Sequence, residues 1–328
     1  MQKNTFIIFV ILAALLSSCN QKPEDNDDRI AVILDTDANN ELDDQHAIAY
    51  MLKNLDVFNL LGITVNTTYN GGLIQQHYDE AMRVLTLFNE QENIQVKRGA
   101  DKSFAEIRGS LGSGQFDGAE AVNFIIQQAA QFENHELVLL PIGKLTNIAL
   151  ALEKEPSIAN RIRIVWLGSN YPGPGEYNLE NDTSALSYIL ASDVPFEMVT
   201  VSYGRATGTW AILVSLEEIE TMMPGKGPVI GGTITGRHGG EFNNFGAYAI
   251  NLFQHIDLYD DPPSRSLYDL AAAAILKNPA WAESRLVRGP RYDTTGWVEH
   301  PGSERQVLLW ENFERDSIVA DLFNSLGK

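Results

Sequence analysis

Four aspartates, Asp35, Asp37, Asp43 and Asp44, fall within ten residues directly behind the apolar run Ile30–Leu34. The run reads as a short buried strand, and Ala47, Ile48, Met51 and Leu52 recur behind the acids at helical spacing. The acids therefore occupy a strand-to-helix turn, the place where open α/β sheets bind ligands. Asp43 and Asp44 fall near the start of the helix, where its dipole favours anionic side chains. Capping accounts for one aspartate there. Four repel one another unless a cation or protons intervene, so the turn predicts a cation site.

The rest of the chain repeats the same alternation. Phe58 to Val65, Glu136 to Ile142, Ile162 to Leu167 and Phe196 to Val201 read as strands. Leu73 to Phe88, Leu145 to Leu152 and Ser184 to Ala191 read as helices. This predicts an α/β fold with a mainly parallel, doubly wound, Rossmann-like sheet covered by helices on both faces. Residues 29–328 suit a single domain. Within it, 207–263 loosens into Gly-rich and aromatic stretches, expected as an insertion or lid or as plain surface loops. The tail from Arg285 to Trp310 alternates as edge strands do. A net charge of −19 repels phosphate backbones and argues against nucleic acid as a ligand. No His or Cys cluster has the spacing that zinc needs.

Beyond composition, four segments resemble nucleoside hydrolases, calcium-dependent enzymes that cut the N-glycosidic bond of ribonucleosides. Asp35-Thr36-Asp37 through Asp43-Asp44 is similar to their Asp-x-Asp-Pro-Gly-x-Asp-Asp signature. Gly143-Lys144-Leu145-Thr146-Asn147 resembles Gly-Pro-Leu-Thr-Asn. Gly168-Ser169-Asn170 with Gly175-Glu176-Tyr177-Asn178 and Asp182 resembles their Gly-Gly-Asn and Glu-Phe-Asn segment, and Tyr268-Asp269-Leu270-Ala271 their His-Asp-Pro-x-Ala element. Two departures stand out: the first turn is two residues longer, with Ala38-Asn39-Asn40-Glu41-Leu42 in place of Pro-Gly-x, and Tyr268 replaces a histidine.

The resemblance implies a calcium ion held by Asp37, Asp44, Asp269 and the backbone carbonyl of Thr146. It makes Asp37 the general base and Asp43 a ligand of the ribose hydroxyls. Asn70, with Asn66 as its competitor, would complete the ribose cage with Asn170, Glu176 and Asn178. Turn formation in the Pro172 to Gly175 loop is the plain alternative for the last three. Asp35 reads as an orienting residue rather than a ligand.

Protonation of the departing base is less defined. Tyr268 is the candidate acid or a packing aromatic; His238 and His77 are further candidates, and His46 reads as a residue that supports the site from behind or as a packing residue. Phe242, Phe245 and Tyr248 recur at helical spacing, which favours core packing over base stacking. The expected partner is a small nucleoside, and the oligomeric state is open to a homo-oligomer. The rival functions are capture of a ribosyl ligand without turnover and hydrolysis of another ribosyl compound.

Residues 1–18 have the pattern of a signal peptide: Lys3, then the apolar run Phe6 to Leu16, too short to span a bilayer. Leu16-Ser17-Ser18-Cys19 resembles a bacterial lipoprotein box, which implies cleavage before Cys19 and lipidation of this sole cysteine. Residues 19–28 are then a polar tether that anchors the protein to a membrane of the cell envelope.

Overall fold

The computed structural model describes residues 27–293 and 296–328, so the expected leader, Cys19 and most of the tether lie outside the described residues. Ile30–Thr36 forms the first strand, β1. Val32 and Leu34 enter one hydrophobic core, and Ala31 and Ile33 the other. That is the two-residue period of a strand buried on both faces. Asp35 continues the side of Ala31 and Ile33, and so points beneath the sheet's end rather than out of it.

The next strands are β2 (Phe58–Val65), β3 (Val96–Arg98), β4 (Leu137–Pro141), β5 (Ile162–Leu167) and β6 (Phe196–Val199). With Glu283–Arg288 and Gln306–Glu311 they make one eight-stranded sheet, ordered Glu283–Arg288, Gln306–Glu311, β6, β5, β4, β1, β2, β3. Every adjacent pair is parallel except the two tail strands, which pair antiparallel at the edge. The fold class and the edge strands agree with the sequence expectation.

Helices cover both faces. Asp43–Leu52, Ile74–Leu87 and Tyr268–Lys277 pack into the core of Val32, and Ala119–Ala129, Thr146–Lys154 and Thr183–Ala191 into the core of Ile33. The chain runs outward from β1 through β2 to β3, then returns to β4 on the other side of β1. This reversal opens a crevice beyond the carboxyl ends of β1 and β4.

Residues 207–263 contain a short strand, Leu213–Ser215, a small hairpin of Ile234–Thr235 with Glu241–Phe242, and two helices, Leu216–Met222 and Phe245–Gln254. Phe245, Tyr248, Leu252 and Phe253 are buried, so the helix Phe245–Gln254 packs into the core, while the hairpin and the stretches on either side of it are largely exposed. No helix among the described residues is long and apolar enough to cross a membrane.

Candidate active site

The crevice holds a cavity lined by Asp37, Asn40, Glu41, Asp43, Asp44, Ile142, Leu167, Glu176, Tyr177, Asn178, Val201, Tyr203, Tyr268 and Asp269. Asp43 and Asp44 open the helix Asp43–Leu52, and Asp269 lies in the first turn of Tyr268–Lys277. All three are buried, and a carboxylate oxygen from each lies within 4.8 Å of the others. Thr36 donates a very short hydrogen bond to Asp44. Asp37 sits just past β1, only 2% exposed, with Oδ2 accepting from Thr68 Oγ1 at 2.5 Å. Its other oxygen faces Gly143, where an added Cβ would approach Asp37 Oδ1 to 2.9 Å and Asn66 to 3.0 Å. Glycine is required there by close approach, not by backbone angle.

Burial pushes the Asp37 and Asp43 carboxyls up to about 7, with Glu41 adding repulsion in both cases. Asp44 and Asp269 are raised further, first by burial and then by neighbouring aspartates. Such a group is comfortable protonated or beside a cation. All-oxygen donors suit a hard divalent ion, so the residues present fit calcium. For the metal-free protein the sign follows: the folded state holds protons that the unfolded chain releases near pH 4, so this stability is complete below that pH and is lost as pH rises through about 7. We expect the Tm of chelator-treated protein to fall between about pH 5 and about pH 7.5. Asp43→Asn should flatten that fall, and an equally steep fall in this variant would contradict the assignment.

Asp35 stays out of the cavity, as its strand position dictates. It accepts from Thr64 Oγ1 at 2.6 Å, Asn66 Nδ2 at 2.6 Å and Asn147 Nδ2 at 2.7 Å, which ties β1 to β2 and to the helix Thr146–Lys154. Burial raises its carboxyl to about 6.

The lengthened turn is well anchored. Ala38 and Leu42 are buried. Gln45 Nε2 donates to the Ala38 carbonyl, the Asn39 N–H donates to His77 Nδ1, and Arg237 Nη1 donates to the Glu41 carbonyl at 2.6 Å. The Glu41 carboxylate forms an ion pair with Arg265. The segment 207–263 thus reaches the site through Arg237.

Several residues assigned from the sequence lie away from the cavity lining or the acid trio. Thr146 does not line the cavity: it begins a helix, where its carbonyl joins the helical ladder, and its hydroxyl donates to Asp182 at 2.6 Å. Of that stretch, Ile142 just past β4 lines the cavity. Asn70 is exposed and its N–H donates to Tyr177 Oη at 2.9 Å, because the loop after β2 turns away; its competitor Asn66 is the buried residue that bonds Asp35. Asn170 also misses the cavity, and its Oδ1 accepts from the Tyr203 N–H at 3.1 Å. The acid trio of Asp43, Asp44 and Asp269 includes Asp43 where the resemblance implies Asp37.

Glu176 and Asn178 line the cavity and also build its frame. Glu176 accepts from the N–H groups of Ser169, Asn178 and Leu179, and burial raises its carboxyl. Asn178 Nδ2 donates to the carbonyls of Ile142 and Leu167, which joins the ends of β4 and β5.

Tyr268 lines the cavity with its hydroxyl 2.9 Å from that of Tyr259, and burial raises its pKa. His77, His238 and His46 do not line it. His77 is held by Asn39, His238 stacks on His255 at 5.0 Å, and His46 packs edge-on against Phe245 and Phe253. Phe245 and Tyr248 are core residues and Phe242 leans on Tyr248. Sequence reasoning missed Thr68, Tyr177 and Tyr203; only Tyr177 carried a signal, through its place between Glu176 and Asn178.

Comparison with known proteins agrees with this fold. Pyrimidine-specific ribonucleoside hydrolase RihB from Escherichia coli is 30% identical over 198 residues, 54% of this chain and 61% of that protein. Inosine-uridine preferring nucleoside hydrolase from Crithidia fasciculata is 31% identical over 112 residues, 32% of this chain and 36% of that one. The chain thus spans less than two thirds of the curated relatives it matches. A purine-preferring ribonucleoside hydrolase from Gardnerella vaginalis superposes with a TM-score of 0.67 at 21% identity, covering 90% of this chain and 98% of that one. A plant nucleoside hydrolase gives 0.70 at 18% identity with the same coverage, and both show a shared fold. Residues 32–309 match the family model for inosine-uridine preferring nucleoside hydrolases, so the chain belongs to that family.

Proposed function

We propose that the protein hydrolyses the N-glycosidic bond of ribonucleosides to ribose and free base, with calcium as cofactor. The observation that carries this reading is the trio of buried carboxylates, Asp43, Asp44 and Asp269, beside a fourth, Asp37, at the sheet's reversal point. Calcium held there would supply positive charge that acidifies water and gathers sugar hydroxyls.

The protein's own groups do the rest. Cleavage passes through an oxocarbenium-like sugar, which carboxylates around the ring stabilise. Asp37, with one oxygen fixed by Thr68, takes the proton of the attacking water. Asp43 accepts from ribose hydroxyls. Glu176 and Asn178 are held rigid by their backbone bonds and shape the sugar's side of the cavity. Asp35 orients Asn66 beneath Asp37. Tyr268 is the group at hand for a departing base, within a chain of hydroxyls that continues to Tyr259 and Ser266.

Tyr268→Phe keeps the ring but loses the hydroxyl. We expect uridine and inosine to slow by about 10², while nitrophenyl riboside, whose leaving group needs no proton, changes by less than about three-fold. Equal slowing of both would assign Tyr268 to packing.

The protein is further read as lipid-anchored through Cys19 at the bacterial cell envelope, on the strength of Leu16-Ser17-Ser18-Cys19 behind an apolar run. Chromatography of uridine and inosine after incubation with the full-length chain tests the activity. Appearance of free base and ribose is expected, and retention of intact nucleoside without products would favour ligand capture.

A further inference from the structure

Among the described residues, six carboxylates line the cavity, from Asp37, Glu41, Asp43, Asp44, Glu176 and Asp269, and no lysine, arginine or histidine does. A divalent cation at the trio and the Glu41–Arg265 ion pair offset only part of this charge. A neutral purine or pyrimidine gains nothing from the excess. Anionic bases and phosphorylated ribosides are repelled by it.

One wall is aromatic. Tyr203 and Tyr268 both line the cavity, with ring centroids 5.9 Å apart and planes at 89°, so together they form a corner. Trp210 backs both, 6.1 Å from Tyr203 and 6.3 Å from Tyr268, and Tyr259 stacks on Trp210 at 4.6 Å. This group already holds a cation: the Arg265 guanidinium lies 5.1 Å from the Tyr259 ring centre. Glu41 belongs to the same wall, since its partner Arg265 covers Tyr259 and Tyr259 bonds Tyr268. Aromatic faces together with a carboxylate are the surroundings that bind a delocalised organic cation.

Resting on the ribohydrolase reading above, we propose that the preferred substrate carries a positively charged base, an N-ribosylpyridinium, seated against Tyr203, Tyr268 and Glu41. Such a substrate fits the chemistry as well as the charge. The C1′–N bond breaks with both electrons going to the ring nitrogen, so the base leaves as a neutral pyridine without being protonated. Water adds to C1′, Asp37 takes its proton and passes it to solvent, and the products are ribose, neutral pyridine and one proton. A cavity without an imidazole suffices for this reaction.

The test uses the full-length chain with calcium and three substrates: the riboside of 3-carbamoylpyridinium, uridine, and neutral 4-nitrophenyl riboside, which also needs no acid. We expect KM for the pyridinium riboside to be at least about ten-fold below that for 4-nitrophenyl riboside. Glu41→Gln should shrink that ratio several-fold, and 1-methyl-3-carbamoylpyridinium should inhibit the unaltered enzyme at lower concentration than neutral 3-carbamoylpyridine. Hydrolysis of all three with equal KM, a ratio that Glu41→Gln leaves unchanged, or equal inhibition by the two pyridines would overturn the charge preference alone. Hydrolysis of none would overturn the ribohydrolase reading and this inference with it.

Discussion

Asp37→Asn is expected to lower kcat on uridine or inosine by about 10² to 10⁴, with KM little changed. Asparagine keeps the shape and can still bond Thr68, but it cannot take a proton from water. Asp43→Ala, by contrast, should raise KM strongly and slow kcat less, because hydroxyl contacts act in the ground state as well as in the transition state. Steady-state kinetics on both variants separates the roles. Wild-type kcat in Asp37→Asn would remove Asp37 from proton transfer.

The second large effect concerns calcium. Added to chelator-treated protein at about one hundred times its Kd, it should stabilise the fold by about 2.7 kcal/mol, an increase in Tm of roughly 5 °C for a chain of this size. Asp269→Asn should abolish the increase, because a neutral amide leaves Asp43 and Asp44 without their third partner. The variant's own metal-free Tm should be at or above that of the wild type, since one of the mutually repelling buried carboxyls is gone. Scanning calorimetry with and without calcium reads both numbers. A calcium response retained in Asp269→Asn would place the ion elsewhere.

Much of the scaffold was legible in the chain. Ile30–Leu34 is uniformly apolar because β1 is buried on both faces, and the alternation of such runs with amphipathic ones specifies a parallel sheet. The acids after β1 were legible because a strand end at a reversal point is where the fold presents ligand groups. Residues whose role depends on loop direction were not. Asn66 and Asn70 stand four apart after β2, yet one is buried on Asp35 and the other faces solvent. Asn170 and Thr146 have suitable chemistry but spend it on Tyr203 and Asp182. Tyr203 enters the cavity from a loop after β6, and Glu41 finds its partner Arg265 more than two hundred residues away. No local pattern encodes such meetings, since they depend on how separate loops converge over the sheet.

Release of ribose from uridine and inosine by one preparation of the full-length chain, assayed as purified, after chelation and after calcium is restored, tests the central claim most directly. The account predicts free ribose in the first state, its loss on chelation and its return with calcium. Ribose release that persists undiminished through chelation, or none in any state, would contradict it.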